Sequence, residues 1–408
     1  MATYTSVQFI GYAIPSIPLT VEDIGDPGTP CFVEGRYEGI EPETADIDAR
    51  IALTMSAVRQ TLKSGAVDRS ASTLKIFVVP EFSFRGARGA YDAGEFTYFR
   101  ERFAKRVSTA AFKDWLFVAG TIVNTVGGYR RGRNRKRDLK ARVRENLAIA
   151  LADAWQYSSA HDDQKLASFI NTTLDQYTAY CHDDPVYEVA NRSFVVAGGP
   201  PDPDYPEGLS IQKKFESNED FVLNFHGNAL AEDSTGYPPI HENKGENKRR
   251  AFDDYSIFTI KGIKFGVEVC LDHLQARLRR NRIPQNELVQ IHLVPSSGMQ
   301  IQEPSIVACG SGLVFNCDGQ YDTLAPDSQP GAADSIWTGT ASHRAHTQLT
   351  EVVQPCRGRN PASNTAVLRR PAAKVTKVPV ADSAAAKLYA YGPGEVHVYT
   401  PLPVPPAG

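Results

Sequence analysis

The chain has 408 residues, 42% of them hydrophobic, with 44 basic against 47 acidic side chains and a net charge of −3. That is enough apolar material for a sizeable core, and the length suits two or three average domains or one large α/β unit with insertions. The near-balance of charge excludes a global pull toward nucleic acid or a membrane surface. The six cysteines are too scattered for a disulfide framework or a CxxC site, so they read as reduced thiols of a cytoplasmic protein.

In chain order, residues 5–14 are largely apolar and predict a first strand, and no long apolar core or basic lead makes them a signal peptide. Residues 15–43 are rich in Pro, Gly and acid and predict a loop. Ile47, Ile51, Met55, Val58 and Leu62 recur in steps of three and four, the spacing of a helix with one face inward. Residues 74–79 are a short, mainly apolar run, broken by Lys75, that stops at Pro80, with Glu81 immediately beyond. Phe96, Phe99, Phe103 and Val107 mark a second amphipathic helix, and 115–123 are another apolar strand. Strands apolar on both faces, alternating with helices, predict α/β layering.

Residues 130–144 carry nine Lys or Arg in fifteen positions and are expected as a solvated surface loop, since the chain as a whole is slightly acidic. Nucleic acid is therefore not an expected partner. Ser193 to Ala197 predict a strand closed by Gly-Gly-Pro-Pro. From 209 to 215 the pattern alternates, with Leu209, Ile211, Lys213 and Phe215 on one face. A lysine on an apolar face is costly to bury without a carboxylate partner, and lysines held that way tend to be functional. Residues 224–250 are polar and loop-like. Residues 255–260 and 262–269 predict a hairpin around Lys261-Gly262, and the second strand runs into Cys270. A basic helix to about Arg280, a strand over 288–295, one over 312–316 and one over 395–399 complete the expected elements. His343-x-x-His346 lacks the accompanying ligands of a metal site, so a surface or interface role is expected. Cys309 and Cys317 are expected as core thiols.

Three chemistry-bearing residues thus fall at or on predicted strands: Glu81, Lys213 and Cys270. Together they are a complete set for acyl transfer, with a nucleophile, a base that can return its proton, and a cation where negative charge develops. A free thiol with a pKa of about 8.5 is only a few per cent ionised at neutral pH, so Cys270 needs such partners.

At these residues the sequence resembles the nitrilase superfamily of carbon–nitrogen hydrolases. The resemblance rests on Pro80-Glu81-Phe82, the alternating strand with Lys213, and Gly266-Val267-Glu268-Val269-Cys270-Leu271-Asp272, in the family's order of Glu, Lys and Cys. Phe117-Val118-Ala119-Gly120, Asn191 to Val196 and His292 to Ser296 resemble the flanking strands, so the likeness covers most of residues 5–320. It implies a four-layer α-β-β-α sandwich and a Glu81–Lys213–Cys270 triad. The expected activity is hydrolysis of a non-peptide C–N bond in a small molecule, without metal or cofactor, in a cytoplasmic homo-oligomer. It further implies a hydrolase domain over 1–350 with insertions near 127–187 and 224–250. Residues 351–408 would be an extension packed on that domain or on an oligomer partner. Two departures stand out. Lys213 is followed by Lys214 rather than by histidine, and Lys213 is preferred because it keeps phase with Ile211 and Phe215. The family's second glutamate has two candidates, Glu219 and Glu242.

Overall fold

The computed structural model describes residues 4–23, 33–126, 186–202, 204–215, 228–231, 256–280, 288–321, 335–338 and 344–407. The first strands and helices are β1 (Ser6–Ala13), β2 (Thr20–Asp23), β3 (Val33–Arg36), α1 (Glu43–Lys63), β4 (Thr73–Val78), α2 (Glu95–Val107), β5 (Trp115–Val126), β6 (Val186–Ala197), β7 (Leu209–Gln212) and β8 (Asn228–Ala231). Then come β9 (Ile257–Ile260), β10 (Ile263–Val267), α3 (Leu271–Leu274), α4 (Arg277–Arg280), β11 (Val289–Ser296), β12 (Ala308–Tyr321), β13 (Ser335–Thr338) and β14 (Arg344–Gln354). The last are β15 (Val367–Arg369), β16 (Val375–Pro379), β17 (Glu395–Tyr399) and β18 (Leu402–Pro403).

The chain is a mixed α/β structure with two large sheets. The first runs β16-β17-β1-β4-β5-β6-β7, with β18 also on β1 and β8 also on β6; the second runs β13-β14-β12-β11-β10-β9, with β15 on β14. At the centre of the first, β1, β4 and β5 are parallel. At the centre of the second, β10, β11 and β12 are parallel.

The period-2 alternation of these strands splits their side chains between two cores. On one face of β4, Leu74, Ile76 and Val78 meet Phe265, Val267, Ile291, Leu293 and Phe315 of the second sheet, so the sheets share an apolar interface. On its other face Phe77, like Tyr12 of β1 and Phe117 of β5, packs against Ile47, Ile51, Met55 and Val58 of α1 and Phe99, Phe103 and Val107 of α2. Strands covered on both sides read as unbroken apolar runs, which is why 76–79 carries no polar alternation. The outer face of the second sheet buries Val289, Val314 and Val352 with Leu278 of α4 and Ile306.

Several expectations are corrected. The 15–43 loop contains the β2–β3 ribbon, and the 224–250 loop contributes β8. The single basic helix expected after Cys270 is two short ones, because Ala276 adopts φ 52, a left-handed conformation that no α-helix continues through. His346 is fully buried on β14, with Nδ1 3.5 Å from Asp318 Oδ1, rather than at a surface or interface. Its expected companion His343 lies outside the described residues, as do the 130–144 basic run, the 127–185 part of the first expected insertion, Glu219 and Glu242. Among the described residues no helix is long and apolar enough to cross a membrane.

Candidate active site

Glu81 lies just past the end of β4. Proline at 80 has no N–H to extend the ladder, so the chain leaves the sheet there, and Phe82 turns it with φ 61. The turn is held from three sides. Glu81 N–H donates to Ser296 O of the second sheet at 3.2 Å. Ser16 Oγ donates to Glu81 O at 2.6 Å, and Phe82 N–H donates to Thr121 Oγ1 at 2.9 Å. Gly120 makes room for this turn: it sits at φ 68 where β5 bulges, and a Cβ there would collide with the Pro80 carbonyl oxygen.

The Glu81 side chain is fully buried. Its Oε1 accepts a hydrogen bond from Asn191 Nδ2 at 2.8 Å and lies 3.0 Å from Lys213 Nζ. Lys213 follows β7 directly, and its N–H donates to Asn191 O at 2.8 Å, so pairing with β6 continues one residue further. That continuation keeps its side chain on the Ile211 face and drives it inward, where Nζ lies 5.5 Å from the centre of the Phe82 ring. The next residue points elsewhere in the network: Lys214 and Phe215 both donate their backbone N–H to Asp272 Oδ1 at 2.9 Å. Of the two lysines, it is Lys213 that meets Glu81.

Cys270 ends the strand extended from β10. Its backbone has φ 46 and ψ −109, a conformation that costs a non-glycine residue about 1–3 kcal/mol and persists only where its surroundings impose it. Cys270 N–H donates to Pro295 O at 3.1 Å, and Sγ lies 3.5 Å from Ser297 O. The thiol also lies within the electrostatic reach of the Glu81 carboxylate and the Lys213 ammonium. Burial pushes the thiol well above its ordinary pKa, the Glu81 charge pushes it further, and the Lys213 ammonium opposes both. That rise describes losing a proton to bulk water. Passing the proton to Glu81 leaves the charge of the three-residue set unchanged and keeps the ammonium beside the new thiolate, so internal transfer escapes most of the penalty.

The wall next to Cys270 is shaped by Asp318. Its carboxylate accepts N–H groups from Gly298, Met299 and Gln320 and the hydroxyl of Ser296, so the 296–299 loop is fixed from β12. Asp272 ties the segment after Lys213 to the helix after Cys270, and its Oδ2 meets Arg277 Nε at 2.9 Å. Among the described residues, Glu268, His273 and His292 are the one group whose ligand-type atoms converge as a metal site requires.

The three residues expected from the sequence are thus brought together from β4, β7 and β10. Asn191, Asp272, Asp318 and the Glu268 cluster were not anticipated. Glu268 and His273 were visible as polar residues flanking Cys270, but nothing in linear spacing shows that they face each other behind it.

No family model matches the chain, and no curated protein matches it. Solved structures similar to it include an amidase from Nesterenkonia sp. (10% identity, covering 99% of this chain and 92% of that one, TM-score 0.32). A mutant of the Nesterenkonia AN1 amidase from the nitrilase superfamily is also similar (9%, 85% and 91%, TM-score 0.30). So is a carbon–nitrogen hydrolase from Helicobacter pylori G27 (7%, 85% and 88%, TM-score 0.30). Overlaps this loose carry no assignment; the chemistry rests on the side chains.

Proposed function

We propose that the protein is a carbon–nitrogen hydrolase of the nitrilase superfamily, acting on small amide-type substrates through a Cys270 acyl-enzyme. One observation carries the reading. A buried carboxylate, Glu81, is 3.0 Å from a buried ammonium, Lys213, and both charges act on the thiol of Cys270, which sits on a strained turn. A buried ion pair is a weak source of stability, because desolvation cancels most of its attraction. Placed against a thiol, it is a base and an electrostatic clamp.

In this mechanism Glu81 accepts the thiol proton as Sγ attacks the carbonyl carbon, and the carbonyl π pair moves onto oxygen, where Lys213 offsets the charge. Collapse breaks the C–N bond while Glu81 returns the proton to nitrogen, releasing ammonia or an amine and leaving a thioester. Glu81 then takes a proton from water, the hydroxide adds to the thioester carbon, and the C–S bond breaks. The thiolate recovers its proton from Glu81, and a carboxylic acid leaves. A nitrile would enter by the same attack and give a thioimidate. Acyl transfer to an amine is the alternative on the same residues, with the amine in place of water.

The same reading takes the architecture as a four-layer α-β-β-α sandwich. It places the hydrolase domain in 1–350 and an extension in 351–408 of a cytoplasmic homo-oligomer. The packing of α1 and α2 outside one sheet and of α4 outside the other supports the layering.

The test is ammonia release from a panel of aliphatic amides, nitriles and carbamoyl compounds, with intact-mass detection of the Cys270 adduct. We expect turnover, an acyl adduct on the wild-type chain, and a loss of about 10⁴-fold or more in Cys270→Ala. Added hydroxylamine separates hydrolysis from transfer by diverting the acyl group into a hydroxamate. An inert wild-type protein whose Cys270 also resists iodoacetamide overturns the reading.

A further inference from the structure

Behind Cys270, away from Glu81 and Lys213, lies a second buried cluster with no part in the proton transfers above. Glu268 stands two residues before the cysteine and His273 three residues after it, and both are fully buried. His273 Nδ1 is 2.8 Å from Glu268 Oε2. His292, on the neighbouring strand β11, places Nε2 3.0 Å from the same oxygen. The other oxygen, Oε1, accepts the N–H of Leu278 at 2.7 Å, and His273 Nε2 accepts the N–H of Gln302 at 3.0 Å.

The Gln302 contact decides what the cluster is. A backbone N–H can only donate, so His273 Nε2 presents a lone pair and its ring proton sits on Nδ1, pointing at Glu268. A metal ion held with Glu268 and His292 would need that lone pair on Nδ1. The donor set has a metal's residue types in the wrong protonation pattern. It is a hydrogen-bond clamp, closed around one carboxylate.

From this geometry we infer that Glu268 and His273 are positioning residues for the Cys270 nucleophile, locking its strained turn from both sides of the chain. The clamp ties the end of the β10 strand to α3, to the start of α4 through Leu278, and to the segment after β11 through Gln302. Cys270 sits between its two halves. Without the clamp, a residue at φ 46 can relax toward ordinary backbone and swing Sγ away from Glu81. Displacement of about 1 Å at a reacting atom costs on the order of 10²-fold in rate. His292, with Nε2 3.0 Å from the same carboxylate oxygen, packs against the clamp from β11. The inference rests on the proposed hydrolase reading.

The substitutions that test it are Glu268→Gln, His273→Leu and His273→Asn. Glu268→Gln sets an amide N–H against His273 Nδ1–H or forces the ring to flip against Gln302. His273→Asn keeps a donor near the Nδ1 position and gives up the Gln302 bond. We expect kcat to fall about 10²-fold in Glu268→Gln and His273→Leu, with KM within about twofold, and His273→Asn to recover part of the loss. Iodoacetamide alkylation of Cys270 should slow in the same order, and this readout needs no substrate. His397→Asn, a comparably buried change between the sheets, serves as the control for mere destabilisation. Unchanged kcat and alkylation in the clamp variants overturn the inference while leaving the hydrolase reading intact. So does an equal kcat loss in His397→Asn, or stoichiometric zinc in the purified protein that disappears in His292→Asn. A wild-type chain without turnover or Cys270 alkylation instead overturns the hydrolase reading.

Discussion

Each large sheet has three adjacent parallel strands at its centre, β1-β4-β5 in one and β10-β11-β12 in the other, and each delivers site residues from just beyond a strand's end. The two ends store free energy in different forms. The first sheet's side of the site holds buried charge: Glu81 and Lys213, 3.0 Å apart, with Asn191 on the same oxygen. The second sheet's side holds backbone strain at Cys270, imposed by neutral and charged hydrogen bonds behind it. Charge storage is vulnerable to losing a partner, and strain storage to being allowed to relax. The nucleophile is placed by the second kind and activated by the first.

The largest effect that separates the two sides is on stability. Lys213→Ala leaves the Glu81 charge buried without its ammonium, and we expect a loss of about 3–5 kcal/mol in urea unfolding. Lys213→Met combined with Glu81→Gln removes both charges and should recover most of that loss while activity stays absent. If the double variant is as unstable as the single one, charge is not what the first side stores.

The second effect is acid sensitivity on the strained side. Burial works against the Glu268 charge, but the His273 hydrogen bond and the adjacent His292 ring outweigh it and hold the carboxyl at about 2, against 4.5 in the unfolded chain. A depressed carboxylate contributes stability above its unfolded pKa and loses it as pH falls. Glu268 therefore supports the fold fully above about pH 4.5 and progressively less down to about 2, on the order of 3 kcal/mol in total. His292 has the same sign: burial lowers its pKa below 6.5, with Glu268 opposing, so the unfolded chain takes up protons first and stability declines below pH 6.5. Unfolding free energy measured from pH 7 to 3 should fall throughout. His292→Asn should flatten the upper part of that curve and Glu268→Gln the lower part.

A smaller effect has the opposite direction. Glycine tolerates φ 46 without penalty, so Cys270→Gly should raise the melting temperature, by the equivalent of about 1 kcal/mol, while abolishing turnover. A lowered melting temperature would mean that the turn is not strained in the folded protein. Smallest of all, Arg369→Ala removes an exposed ion pair with Glu351 at the β14–β15 edge and should leave the melting temperature unchanged.

What was legible in the sequence follows the same division. The apolar runs of β4 and β5 and the helical spacing of α1 and α2 announce themselves, because burial on both faces or along one stripe leaves a periodic trace. Lys213 could be chosen over Lys214 for that reason alone, since parity decides which side chain faces inward. β14 was missed: it alternates Ala345, Thr347, Leu349 and Glu351 with His346, Gln348, Thr350 and Val352, and buries polar groups such as His346, Thr347 and Gln348 among hydrogen-bond partners from distant segments. The break at Ala276 was missed because alanine gives no warning of a positive φ. Asn191, Asp272, Asp318 and the Glu268 clamp are polar residues whose partners come mostly from other strands and loops, and no local pattern pairs them.

β1 takes β4 on one edge and β17 on the other, and Ile10 faces Val398 across that second edge. A ribosome adding roughly 5–20 residues per second needs tens of seconds to travel from one partner to the other. Throughout that interval the emerging first strand has an unsatisfied row of N–H and C=O groups, a template for any passing strand. β17, made long after β1, therefore acts as the cap for that strand. Truncation before residue 395 should yield inclusion bodies rather than a shortened soluble protein.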